Sequence, residues 1–207
     1  MCGRYSLGGE DLLQEMREII HEVNRRALGD GVKSSGEAYP SDTVPVIATS
    51  RGMRPGIFPM RWGYLLPDGK RIINARSETA ASKPLFQDGI RRRRCVIPAV
   101  HYFEWTHGGQ PRARYAIAPR EGMTFLAGVY RMEGDTPAFA ILTRGAAEEI
   151  AFVHDRMPVM LPRELIEAWI DPASDPAPLL ERAVTQVRYA RDASDEQLSM
   201  ELPGLEL

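Results

Sequence analysis

Residues 94–143 read RCVIPAVHYFEWTHGGQPRARYAIAPREGMTFLAGVYRMEGDTPAFAILT, and this stretch decides the fold. Four runs rich in β-branched, aromatic and small apolar residues, 94–105, 112–118, 124–131 and 137–143, are separated by turn sequences such as HGGQP and EGDTP. The breaks are too short for a helical crossover, so consecutive runs are expected to pair antiparallel. Upstream, further strand-like runs fall at 43–49, 58–65 and 71–74, and Pro84 limits any helix within 77–90. Over 10–28, Leu12, Leu13, Met16, Ile19, Ile20, Val23 and Ala27 recur every three or four residues before Gly29, which predicts an amphipathic helix. Residues 29–42, GDGVKSSGEAYPSD, read as an exposed loop. Helices are expected at 145–153 and at 162–170, with Pro162 at a first helical position. The acidic end, 171–207, reads as loosely packed apart from a strand at 185–190. The predicted architecture is α+β, one domain over 1–207 with a mostly antiparallel, curved, barrel-like sheet and peripheral helices.

A chain of 207 residues suits one domain, and 43% apolar with 26% charged residues is enough to bury a core, which excludes wholesale disorder. No run approaches the ~18 consecutive apolar residues of a membrane span, and MCGRYSLGGEDLL lacks the apolar stretch of a signal peptide, so no membrane association and a cytoplasmic location are expected. Cys2 and Cys95 are the two cysteines, without a C-x-x-C pair, which argues against a disulfide framework or a cysteine-rich zinc site. Nothing calls for a metal or an organic cofactor. The net charge of −2 hides a partition: the balance is −3 over 1–50, +10 over 51–120 and −9 over 121–207. A central basic segment between acidic flanks fits a localised polyanion-binding face. A solvated strand entrance at Arg91–Arg94 fits part of it equally well.

Removal of Met1 would make Cys2 an amino terminus carrying two nucleophiles, an α-amine of pKa ~7.7–8.0 and a thiol of pKa ~8.5. Such a 1,2-aminothiol condenses with an aldehyde to an imine, and the tethered thiol closes a five-membered thiazolidine with a large effective molarity. An incidental small residue at position 2 is the alternative. Glu104 lies between Phe103 and Trp105; burial there would raise a carboxylate into the range of general acid–base work, whereas a period-two strand would turn it to solvent. His154-Asp155-Arg156 groups titratable and cationic side chains at a predicted helix end. Asn74-Ala75-Arg76-Ser77 places an amide and a guanidinium close together for a sugar and a phosphate, or else marks a helix start at Ser77.

Taken in order, MCGRY at 1–5, RWG at 61–63, INARSET at 73–79, RCVIPA with YFEW within 94–105 and HDRMPV at 154–159 resemble the SOS-response-associated peptidase (SRAP) family of abasic-site processing proteins. The resemblance spans residues 1 to about 170 and implies a barrel-like α+β domain. It also implies a trimmed N-terminal cysteine that forms a thiazolidine crosslink to the ring-opened aldehyde of an abasic site in single-stranded DNA. On that resemblance Cys2 is the nucleophile, Asn74 holds the sugar or amine, Glu104 transfers protons and His154 stabilises the crosslink. Arg4 and Arg76 are assigned to phosphates, with Lys83 and members of Arg91–Arg94 beyond them. Pro40, Trp62 and Trp105 are assigned to apolar faces for neighbouring bases, and Trp62 is also a candidate for the core. Single-stranded DNA containing abasic sites is the expected partner, with nucleoid association when bound, and a monomer is expected. A thiol peptidase or hydrolase using Cys2, and a noncatalytic single-strand binder, are the competing readings. Two segments depart from the family pattern: GEAYPSD around Pro40, and Val100-His101-Tyr102 before Phe103.

Overall fold

The computed structural model describes residues 2–8, 14, 31–106 and 113–192. Two sheets make up most of it. In the first, β8 (Arg94–Ala99), β3 (Thr43–Thr49) and β4 (Pro55–Trp62) lie side by side, flanked by β11 (Thr124–Glu133) and β12 (Thr136–Gly145). β11 and β12 also pair with each other, so the five strands close into a ring. Directions cannot alternate around an odd ring, so one pair must be parallel. That pair is β4 with β12, in register Ala138↔Arg61 and Phe139↔Trp62. β7 (Asn74–Arg76) runs parallel to β12 beyond β4, and β13 (Arg156–Pro158) runs antiparallel to it. Thr143 pairs with both Arg76 and Pro158, which places β7 and β13 on opposite edges of β12.

The ring explains the apolar run at 94–99. Every residue of β8 is buried because the barrel interior covers one face and α3 (Ile166–Ile170) packs on the strand from outside. Trp169 of α3 donates its indole N–H to the Cys95 carbonyl at 3.0 Å. Arg94, 2% exposed, satisfies its guanidinium on main-chain carbonyls of Ile90 (2.7 Å), Trp169 (2.5 Å) and Ser174 (2.9 Å) and on that of Asp171. Arg94 is therefore a packing element with no donor left for a phosphate, against the expectation for this position. Gly128 on β11 is a residue of close approach: a Cβ there would lie 2.6 Å from Ile97 Cδ1 and 3.0 Å from Cys95 Sγ.

The second sheet is open and runs β14 (Val187–Arg191), β10 (Arg114–Pro119), β9 (Tyr102–Trp105), β1 (Arg4–Gly8), β2 (Ser35–Ala38). Its neighbours are all antiparallel. The expected single strand 94–105 is two strands in different sheets: the chain leaves the barrel at Val100–His101. Ser6 N–H donates to His101 O and Val100 N–H to Ser6 O, each at 2.9 Å, which fixes the change of sheet. The expected loop 29–42 contains β2, whose register Tyr5↔Ala38 to Gly8↔Ser35 no local signal announces.

Short helices α1 (Ser77–Ala80) and α2 (Pro84–Arg92) follow β7, with Pro84 in the first turn of α2 as its locked φ favours. The helix expected at 145–153 is one 3₁₀ turn at Glu148–Ile150. Pro162 caps a 3₁₀ turn at Arg163–Leu165, outside the helix rather than within it. Residues 171–192 are better packed than their composition suggests. Asp175 accepts from Ala177 N–H at 3.0 Å and caps α4 (Pro176–Glu181), while Leu179, Ala183 and Val187 are buried. The predicted helix 10–28 and residues 193–207 lie outside the described residues, position 14 aside.

Candidate active site

β1 is the strand that brings the candidates together. It pairs with β9 as Arg4↔Phe103 and Tyr5↔Tyr102, and Cys2, just before it, lies close enough to Glu104 to feel its charge. From the barrel side, Asn74 at the start of β7 donates its amide N–H to the Cys2 carbonyl at 2.9 Å. Its Oδ1 is buried and accepts no hydrogen bond. Cys2 is fully buried, with Sγ 3.7 Å from the Arg4 carbonyl. Burial, reinforced by the negative charge of Glu104, pushes the Cys2 thiol up to about 12. Glu104 itself is 5% exposed on β9, so it faces inward rather than solvent, and its Oε1 lies 3.4 Å from Trp105 N.

Three of the four chemical candidates, Cys2, Asn74 and Glu104, thus converge at the meeting of the two sheets. His154 precedes β13, a strand that lies two strand spacings, about 10 Å, across β12 from β7. Its Nδ1 lies 2.9 Å from Arg156 N and 2.6 Å from Asp155 Oδ1. One ring nitrogen cannot accept the first and donate to the second at once, so protonation trades the backbone contact for the carboxylate. Arg156 reaches from β13 to Glu78 of α1 with two bonds, 2.6 and 2.9 Å, and to the Thr143 carbonyl at 2.7 Å. That fork ties β13, which follows His154, to the Asn74 segment and holds Glu78 down at about 2.

Two side chains absent from the sequence candidates also line this region. Tyr5 and Tyr102 are cross-strand partners, both fully buried, and neither hydroxyl has a hydrogen-bond partner. Burial first, then the proximity of Cys2, raises both well above the ordinary tyrosine range. The period-two spacing of Tyr102 and Glu104 was the available signal: residues i and i+2 share a face.

The other face of the open sheet carries the arginines. The Arg4 guanidinium lies 4.4 Å from the Tyr39 ring and 5.1 Å from Trp105, and 3.4 Å from Glu37. Arg114 stacks 3.6 Å over Phe103 and pairs with the same Glu37 and with Asp192. Arg114 and Glu37 are 77 positions apart, so no sequence pattern links them. Pro40 sits half-buried in a turn closed by Asp42, whose carboxylate accepts from Tyr39 N–H at 2.9 Å. Arg76, Lys83, Arg91 and Arg92 are exposed on and around α1 and α2. Trp62, by contrast with the expected base-stacking face, is fully buried between Tyr5 and Phe139, with its indole N–H on the Ile73 carbonyl at 3.1 Å. An apolar ring so placed stabilises the core and presents no face to a base.

A barrel-based α+β protein with a buried cysteine, carboxylate and amide at its sheet junction is the class these features define. The chain belongs to the SOS response associated peptidase (SRAP) family, whose model matches residues 1–198. It is 30% identical over 191 residues to the abasic site processing protein YobE of Bacillus subtilis, covering 83% of each chain. It is 27% identical over 179 residues to YedK of Escherichia coli, covering 82% of this chain and 79% of that one. The chicken abasic site processing protein HMCES is 29% identical over 225 residues, with 85% and 67% covered. Among solved structures, a Bacteroides thetaiotaomicron protein superposes with a TM-score of 0.75 at 21% identity, covering 95% of this chain and 94% of the other. A phage-related protein of Bordetella bronchiseptica gives 0.72 at 24%, covering 92% and 94%. These two likenesses show the fold.

Proposed function

We propose that this protein processes abasic sites by capturing them covalently in single-stranded DNA, through a thiazolidine formed by Cys2 once Met1 is removed. The carrying observation is the Asn74 amide on the Cys2 carbonyl at 2.9 Å, with its buried Oδ1 left without a donor. A free α-amine on Cys2 is the donor that oxygen lacks. The amine adds to the aldehyde carbon of the ring-opened sugar, water leaves as the imine forms, and the sulfur then adds to the imine carbon. The thiol proton ends on the ring nitrogen, so the adduct has the mass of its two parts less one water.

A thiol held at about 12 gives its proton up only to a base in the pocket, and Glu104 is the carboxylate in position to take it and pass it on. His154 stabilises the closed adduct. Arg4, Arg76 and Lys83 hold phosphates, and Pro40 and Trp105 offer faces to neighbouring bases, each stacked base contributing ~1–3 kcal/mol. A single strand is favoured because the sugar must be splayed into the junction. The scheme needs neither metal nor cofactor and acts in a single-domain monomer associated with the nucleoid. The peptidase reading would use the same Cys2 with Glu104 or His154 as base, and the burial that pushes the thiol up works against a resting thiolate nucleophile.

Intact mass spectrometry after incubation with an abasic single-stranded oligonucleotide tests the proposal. The expected product lacks Met1 and carries the oligonucleotide minus one water. Cys2→Ala should give no adduct, and Glu104→Gln should slow adduct formation by roughly 10²- to 10⁴-fold. An adduct of unchanged yield in Cys2→Ala would sink the proposal.

A further inference from the structure

The face of the open sheet that carries Glu104 does not end there. Directly opposed residues point to one face, and Glu104 pairs with Tyr115, which pairs with Arg191. The adjacent row is Tyr102, Ile117, Tyr189. Tyr115, Tyr189 and Phe152 pack together with ring centroids 5.3–5.9 Å apart and interplanar angles of 64–89°. This packing fixes the rings without sandwiching any of them, and Phe152 and Tyr189 remain 53% and 46% exposed. Phe152 stands in the turn two residues before His154, so the cluster combines rings of the open sheet with the segment that leads to His154. Strand spacing puts Tyr115 about 5 Å and Tyr189 about 10 Å beyond the strand of Glu104.

We infer that Tyr115, Phe152 and Tyr189 form a stacking platform for the one or two bases of single-stranded DNA next to the captured abasic nucleotide. The inference rests on the proposed function and adds the path by which the strand leaves the site. Continuity with Glu104 and His154 selects nucleic acid as the occupant. The local charge is mixed: Arg188 and Arg191 are exposed, but so are Glu148, Glu149 and Asp155. This surface therefore supplies ring faces rather than phosphate contacts, and its contribution depends little on salt.

Fluorescence anisotropy with undamaged single-stranded oligonucleotide at several salt concentrations tests it, with 2-aminopurine placed at successive positions beside a stable abasic analogue. Phe152→Ala and Tyr189→Ala should each lower affinity by about 5-fold or more. They should leave the slope of log K against log salt unchanged and abolish aminopurine quenching on one side of the lesion. Tyr189→Phe, which keeps the ring, should bind like the parent. Unchanged affinity and quenching in the alanine variants, with adduct formation intact, would overturn the platform alone. A shallower salt slope would replace it with phosphate contacts, and a parent dimer that Phe152→Ala dissociates at constant DNA affinity would replace it with a protein interface. Failure of the parent to bind single strands at all would remove the underlying reading and the platform with it.

Discussion

The barrel and the open sheet bury their polar groups differently. In the barrel strands three fully buried polar side chains are satisfied: Arg94 on carbonyls, Thr124 on Val100 O at 3.0 Å, Thr143 on Ala75 O at 3.4 Å. In the open sheet Tyr5 and Tyr102 bury hydroxyls that have no partner, and Asn74, where the two units meet, buries an acceptor likewise. A buried unsatisfied polar atom costs about 1–3 kcal/mol, so the molecule carries this cost mainly at the junction and, within the ring, at one guanidinium nitrogen of Arg144 on β12. The barrel is the part that holds, and the open sheet is the part shaped to receive something.

The sharpest way to break this contrast is a matched pair of substitutions. Gly128→Val puts a branched side chain where even a Cβ meets Ile97 Cδ1 at 2.6 Å. The neighbours are packed barrel side chains, so the expected loss is about 3 kcal/mol, a fall in Tm of roughly 6–12 °C. Tyr102→Phe removes a buried hydroxyl without a partner and should leave stability unchanged or raise it by about 1 kcal/mol. Denaturant titration of the two variants reads both numbers. A Tyr102→Phe loss as large as that of Gly128→Val would mean the hydroxyl is satisfied in solution, and the difference between the two units would disappear.

The same contrast separates what the sequence shows from what it hides. Strands β3 and β8 to β12 are legible because their apolar runs are bounded by turn residues, and Cys2, Asn74, Glu104 and His154 stand out by chemistry. The switch of sheets at Val100–His101 is invisible, since both halves of 94–105 are equally strand-like and only the contacts of Ser6 divide them. β2 is missed because a Ser-Gly-Glu-Ala strand has no propensity of its own and forms only by pairing with β1. Trp62 and Arg94 are ambiguous in one dimension: an indole stacks on a base or on Phe139, and a guanidinium binds a phosphate or a set of carbonyls. The charge count overstates the basic segment for a related reason, because Arg114 is paired with Glu37 and Asp192 from outside it while Arg76, Lys83, Arg91 and Arg92 stay exposed.

The smallest effect sharpens the comparison at the seam. Glu78 is held at about 2, against 4.5 ordinarily, first of all by the Arg156 hydrogen bonds, at 2.6 and 2.9 Å. A carboxylate with a depressed folded-state pKa contributes stability that is fully present above its ordinary pKa and is lost as pH falls through the folded value. The clamp should therefore act fully at pH 7, weaken below about pH 4.5 and be gone near pH 2. Because the Glu78 side chain is 51% exposed, solvent screens the pair and its contribution should be no more than about 0.5–1 kcal/mol. Urea midpoints for parent and Glu78→Gln between pH 7 and pH 2 measure it: the gap should close as acid is added. If the gap persists at pH 2, the ion pair is not its source. If there is no gap at pH 7, Arg156 is anchored by Thr143, and β13, which follows His154, is positioned by the barrel without help from α1.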